Sequence, residues 1–220
     1  MALKAVFFDL DGTLLDTAPD LGGALNALLH DHGREPLAEA LIRGHVSDGA
    51  NALIQLGFEA TPESEKFHPL REGLLAHYLA NLAANTLPFP GIESLIETLA
   101  AHGIAWGIVT NKPWAYTEPL MKQFTFACPP AVTLCPDHVV DRKPHPESLL
   151  LACQRVGCDA SEALYVGDHQ RDIECGRRAG MPTIAVGYGY LADPNAHKTW
   201  NATHTVTHGE ELWPVISRYL

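Results

Sequence analysis

Asp9 and Asp11 stand two residues apart where an apolar run, Lys4-Ala5-Val6-Phe7-Phe8, comes to its end. In an extended backbone residues i and i+2 share a face, so both carboxylates can converge on one site while Leu10 points away. Gly12 then lets the chain turn sharply. Two like charges held together are unfavourable unless a cation or a proton offsets them. The pair therefore predicts a metal site or an acid/base pair.

Three further segments supply what such a site lacks. Thr110-Asn111 closes the apolar run Ala105-Trp106-Gly107-Ile108-Val109, Lys143 sits in Arg142-Lys143-Pro144-His145-Pro146, and Gly167-Asp168 is followed by Asp172. Taken singly, each has an ordinary explanation: a solvated loop acid, a strand-end hydroxyl, a surface lysine, or acids favoured at a helix N-terminus. Together they would require four coincidences. Four carboxylates, one hydroxyl and one ammonium suit magnesium and phosphate better than zinc, because magnesium takes hard oxygen ligands and retains several waters.

The elements that must position these residues follow from the apolar pattern. From Pro88-Phe89-Pro90-Gly91 onward, helical patterns alternate with short β runs. Helices are predicted over 92–102, about 116–124, 147–156, 171–179 and 210–219. The strands predicted between them are 105–109, 131–134, 163–166 and 183–186. This alternation predicts an α/β fold with a Rossmann-like parallel sheet covered on both faces. Ligands bind such sheets beyond the carboxyl ends of the strands, where all four segments fall.

Between Thr17 and Leu87 no strand run appears. Leu21, Ala24, Leu25, Leu28 and Leu29 recur at helical spacing instead, and 51–57 and 62–84 read as further helices. Residues 1–16 and 87–220 thus form the expected catalytic core. Residues 17–86 form a small all-helical insertion, expected to lie over the catalytic edge like a lid.

The 220-residue chain carries 15 Lys and Arg against 26 Asp and Glu, a formal charge of −11. That balance argues against nucleic acid or an anionic membrane as partner, since both reward cationic surfaces. No apolar run approaches the ~20 residues that span a bilayer. Cys128, Cys135, Cys153, Cys158 and Cys175 form no Cys-x-x-Cys pair, and no signal peptide is expected ahead of them. Reduced thiols and a cytoplasmic location are expected. The 12 histidines are scattered, with no His-Glu-x-x-His arrangement.

In order and in placement at strand ends, the four segments resemble the four motifs of the haloacid dehalogenase superfamily, and the helical insertion resembles that family's cap. The resemblance spans almost the whole chain. It implies a phosphomonoester hydrolase that requires Mg2+ and acts on a small phosphorylated metabolite. Asp9 would be the nucleophile that forms an aspartyl-phosphate. Asp11 would protonate the leaving alcohol and then deprotonate the attacking water. Asp9, Asp168 and the backbone carbonyl of Asp11 would ligate the metal, with Asp172 holding its waters or Lys143. Lys143, Thr110, Asn111 and Gly12 would surround the phosphate, and Lys143 and Thr110 would stabilise charge during transfer.

Thr110-Asn111-Lys112-Pro113 and Tyr188-Gly189-Tyr190 are similar to the phosphoglycolate phosphatase group. Leu41-Ile42-Arg43, Ser47-Asp48-Gly49 and Cys135-Pro136-Asp137-His138-Val139 look closer to phosphatases of N-acetylmuramic acid 6-phosphate. The stretch Arg43 to Gly49 is expected as a cap loop, with Arg43 a candidate for a substrate anion. His169 is expected to line the mouth of the site. A phosphosugar mutase, or a non-catalytic binding or regulatory protein on the same fold, stays open as an alternative. Retention of Asp11 argues against a dehalogenase. Monomer and weak homodimer are both compatible with the sequence.

Overall fold

The computed structural model describes residues 2–220; Met1, which the sequence places just ahead of the first strand, lies outside them. The chain divides into two compact units, Met1–Leu15 with Pro88–Leu220, and Asp16–Leu87.

The first unit is built on a six-stranded sheet. Its strands are β1 (Ala5–Phe8), β4 (Ala105–Val109), β5 (Val132–Leu134), β6 (Ala163–Gly167), β7 (Thr183–Val186) and β8 (His204–Val206). Two further strands of two residues each, β2 (Leu15–Asp16) and β3 (Leu87–Pro88), mark where the chain leaves and re-enters this unit. The sheet order is β5-β4-β1-β6-β7-β8, and every neighbouring pair is parallel. Parallel strands are covered on both faces, and β1 shows the consequence: Ala5, Val6, Phe7 and Phe8 are all fully buried. Helices α5 (Ile92–Ala101), α6 (Trp114–Met121), α7 (Glu147–Val156) and α8 (Gln170–Arg178) provide the crossovers, and α9 (Leu212–Ile216) lies near the carboxyl terminus.

Chain order runs outward from β1 through β4 to β5, then resumes on β1's other side with β6. This reversal is the switch point at which α/β sheets open a crevice. Phe8 pairs with Ile108 on one side and Val166 on the other. The residues that follow these strands therefore emerge side by side.

The second unit contains α1 (Ala18–Asp31), α2 (Glu39–Arg43), α3 (Gly49–Phe58) and α4 (Phe67–Ala80). Leu25, Leu28, Leu29, Ile42, Leu53, Ile54 and Leu74 form its core. Asp20 is buried in the first turn of α1. Its carboxylate accepts the backbone N–H groups of Asn85 (2.8 Å) and Thr86 (3.1 Å), together with the Thr86 hydroxyl (2.6 Å). The end of the unit is thereby tied to its beginning.

Three sequence expectations are corrected here. The cap loop from Arg43 to Gly49 is largely helical: Arg43 closes α2, Val46–Asp48 is a 3-10 turn, and Gly49 opens α3. The helix over 62–84 is limited to α4, because the chain makes turns over 61–64 and 64–67 on the way into it and turns again at Asn81 after it. The terminal helix is interrupted, with α9 flanked by 3-10 turns at Gly209–Glu211 and Ser217–Tyr219.

All five cysteines are free thiols. Burial pushes the Cys135 thiol to about 11 and the Cys153 and Cys175 thiols to about 12. Thiolate is the reactive form, so these three are held inert. Titration of the native protein with a disulfide reagent at pH 8 is expected to modify at most Cys128 and Cys158. All five should react once the protein is unfolded. Fast native modification of Cys153 or Cys175 would contradict this packing.

Candidate active site

The carboxyl edge of the sheet gathers the predicted residues. Asp9 follows β1 directly and donates its backbone N–H to Val166 (2.9 Å), while Thr110 follows β4 and donates its own to Leu134 (3.0 Å). Asp168 follows β6, and Asp172 lies in the first turn of α8. Lys143 arrives from the loop between β5 and α7.

Lys143 is the centre of the arrangement. Its Nζ lies 2.9 Å from Asp9 Oδ1, 2.7 Å from Asp172 Oδ1, 2.9 Å from Tyr165 Oη and 3.0 Å from the Val109 carbonyl. An ammonium has three protons to share among these four acceptors. The Tyr165 hydroxyl helps by donating to the same Val109 carbonyl at 2.8 Å. Burial works against the charge on Lys143, but Asp172 and Asp9 beside it outweigh burial and hold its pKa above the ordinary lysine value. Burial, reinforced by the charge of Asp172, raises the Asp9 carboxyl above its usual range; Lys143 offsets part of that rise.

Carboxylate oxygens of Asp9, Asp168 and Asp172 lie within 4.8 Å of one another, and all three residues are buried. Against one ammonium, three such carboxylates leave an excess of negative charge that a divalent cation would offset. The donors are all hard oxygens, without imidazole or thiolate, which fits magnesium and not zinc. The Asp11 carboxylate is not part of this group. Its Oδ1 pairs with Lys112 Nζ at 3.0 Å.

Asp168 is seated by two close backbone approaches. Gly12 adopts φ +81°, and a Cβ there would fall 2.1 Å from Asp168 Oδ2. At Gly189 a Cβ would fall 2.3 Å from Asp168 Cβ. The Gly189 loop then lets Tyr190 donate its backbone N–H to Asp168 Oδ2 at 2.9 Å. Thr110 Oγ1 accepts the Lys112 N–H at 3.1 Å, which directs its own proton elsewhere. Asn111 Nδ2 donates to the Lys143 carbonyl at 3.1 Å and so joins the second and third segments.

Some residues have partners that the sequence did not indicate. His169 caps α8: its Nδ1 accepts from Arg171 N, and its backbone N–H donates to Asp172 Oδ2, both at 3.1 Å. Within the helical unit, Arg43 Nη1 holds both Asp16 oxygens, at 2.9 and 3.0 Å. A second acidic group, Asp141, His145 and Glu147, lies largely at the surface, and the Glu147 carboxylate accepts backbone N–H groups of Val140 and Asp141.

Lys112, Tyr165, Gly189 and Tyr190 are neighbours of these groups that received no role from the sequence. Tyr165 carried the one available signal, a polar tip inside the apolar run Ala163–Val166.

Such an edge, with acids and a buried lysine gathered at the switch point of a parallel sheet, defines an α/β enzyme with its site on the strand ends. Comparison with known proteins gives the family. The model of the haloacid dehalogenase-like hydrolases matches residues 6–186, and the chain belongs to that family. N-acetylmuramic acid 6-phosphate phosphatase of Pseudomonas aeruginosa is 44% identical over 220 residues, covering 100% of this chain and 97% of that protein. Phosphoglycolate phosphatase of Xanthomonas campestris pv. campestris is 38% identical over 210 residues, covering 96% and 95%. A crystal structure from Lactobacillus delbrueckii subsp. bulgaricus superposes with a TM-score of 0.84 at 26% identity, covering 98% of this chain and 99% of that one. None of the described helices is long and apolar enough to cross a membrane.

Proposed function

We propose that this hydrolase cleaves phosphomonoesters through an aspartyl-phosphate on Asp9. The observation that carries the reading is the buried Lys143 bridging Asp9 and Asp172 beside Asp168. Asp9 attacks phosphorus as the ester P–O bond breaks. Asp11 gives a proton to the leaving oxygen, then takes one from the water that hydrolyses the intermediate. Lys143 orients the nucleophile, and the Thr110 hydroxyl donates to a phosphate oxygen. Asn111 keeps the Thr110 and Lys143 loops in register. Asp9, Asp168 and the Asp11 carbonyl would hold a magnesium ion, which when bound neutralises charge on the phosphate.

The substrate proposed first is N-acetylmuramic acid 6-phosphate, supported by the 44% identity to a phosphatase of that name across the whole chain. The second candidate is 2-phosphoglycolate, supported by the 38% relative. Both carry a carboxylate besides the phosphate. We assign residues 1–16 and 87–220 to catalysis and the helical unit, 17–86, to substrate choice. Arg43 belongs to that unit, and its pair with Asp16 sets the guanidinium.

A panel of phosphorylated metabolites assayed for free phosphate tests this. With magnesium, the muramic acid ester should exceed 2-phosphoglycolate in kcat/KM by about tenfold or more, a margin that differential pocket contacts supply. Chelation should abolish turnover. Release from no phosphomonoester, or an isomeric phosphosugar in place of free phosphate, would sink the proposal.

A further inference from the structure

Lys112 is unusual for a lysine in a strand-end loop, with a side chain only 8% exposed. Both of its backbone polar groups are anchored. Its N–H donates to Thr110 Oγ1 at 3.1 Å, and its carbonyl accepts from Thr117 Oγ1 at 3.2 Å. Thr117 is fully buried in α6, and Thr110 follows β4. The backbone from which the Lys112 side chain springs is thus fixed by a helix and a strand end. The carboxylate it reaches belongs to a different loop, 101 residues away in sequence, and is 19% exposed.

An aspartate on a turn has several staggered rotamers open to it. An ion pair between exposed side chains would select weakly among them. This pair is mostly shielded from solvent, and its cationic partner is anchored, so it selects strongly. The lysine holds the carboxylate through Asp11 Oδ1.

We infer that Lys112 is a positioning residue for Asp11, fixing the carboxylate in the orientation from which it exchanges a proton with the leaving oxygen. The inference rests on the proposed role of Asp11 as proton donor. In that step the Asp9–phosphorus bond forms, the ester bond breaks, and the Asp11 proton passes to the departing oxygen.

The test compares two leaving groups. An alkoxide needs a proton to depart, whereas p-nitrophenolate does not. The ratio kcat/KM extends only as far as departure of the leaving group, so later hydrolysis of the intermediate does not enter. Asp11→Asn should reduce kcat/KM for an alkyl phosphate by about 100-fold or more, and far less for p-nitrophenyl phosphate. Lys112→Met should reproduce the pattern in milder form, roughly tenfold on the alkyl ester and under about threefold on the aryl ester. Lys112→Arg should recover most of the loss. Adding Lys112→Met to Asp11→Asn should cost nothing further.

Equal losses on both esters would overturn the inference, since they would mark a lysine that binds phosphate or serves the fold. Additive losses in the double variant would overturn it as well. Lys112→Gln makes the same comparison if the Met variant does not fold, and failure of both to fold would show a purely structural lysine. If Asp11→Asn itself fails to discriminate between the esters, the role of Asp11 falls and the inference falls with it. That outcome is separate from one in which Asp11→Asn discriminates and Lys112→Met does not.

Discussion

Asp9→Asn is expected to reduce phosphate release by roughly 10⁴-fold or more, the scale on which removal of a covalent nucleophile registers. The fold should survive, because asparagine keeps the size of a side chain buried beside Lys143. Stability should shift in an informative direction. The Asp9 carboxyl is raised in the folded protein, by burial first and by the Asp172 charge second. A raised acid favours folding fully below its unfolded pKa, and the contribution is lost as pH rises through the folded value. Without divalent metal, the wild type therefore loses stability over that window while Asp9→Asn does not. Melting midpoints measured in chelator from pH 4 upward should show the variant gaining on the wild type. A constant difference across the range would contradict the raised carboxyl, and retained turnover would remove Asp9 as nucleophile.

Lys143→Met should have the largest effect on the fold. The lysine side chain is 1% exposed and its partner Asp172 is completely buried, so removing the ammonium leaves two carboxylates facing each other without a cation. Breaking a buried ion pair from one side costs about 3–5 kcal/mol. For a chain of this size that is a fall of roughly 10 °C in melting midpoint. The cost should be constant near neutral pH. Lys143 is raised above its ordinary value, so its contribution is present below the unfolded lysine pKa and fades only in strongly alkaline solution. Adding Asp172→Asn should return part of the loss, because one of the stranded charges then disappears. Urea denaturation measures both, and a single-variant loss under about 1 kcal/mol would show that Lys143 is not the cation that holds the site together.

Much of the architecture was legible because fully buried parallel strands read as unbroken apolar runs. The strands β4 and β7 and the helix α7 match their predicted bounds. The strand β8 did not register: His204-Thr205-Val206 lies at the sheet edge, where a partly exposed strand has no apolar run to display. The helix α2 was missed for a similar reason, since a five-residue helix with a single buried side chain, Ile42, is too short to show a period.

The candidate site divides along the same line. Asp9, Thr110 and Asp168 could be placed because each follows a strand, and sheet register then fixes their neighbours. Lys112 and Tyr165 could not, because their partners are reached only when separate strands meet at one edge. The capping role of His169 could not be read, because nothing in sequence marks a histidine that caps a helix.

Asp20 has a consequence for how such a protein can change. One carboxylate staples the first turn of the helical unit to its last residues, so the inserted segment closes its own boundary. A segment closed in this way behaves as a cassette. On the proposed division of labour, substitutions within it can drift toward a new ligand while the sheet and its acids keep the chemistry.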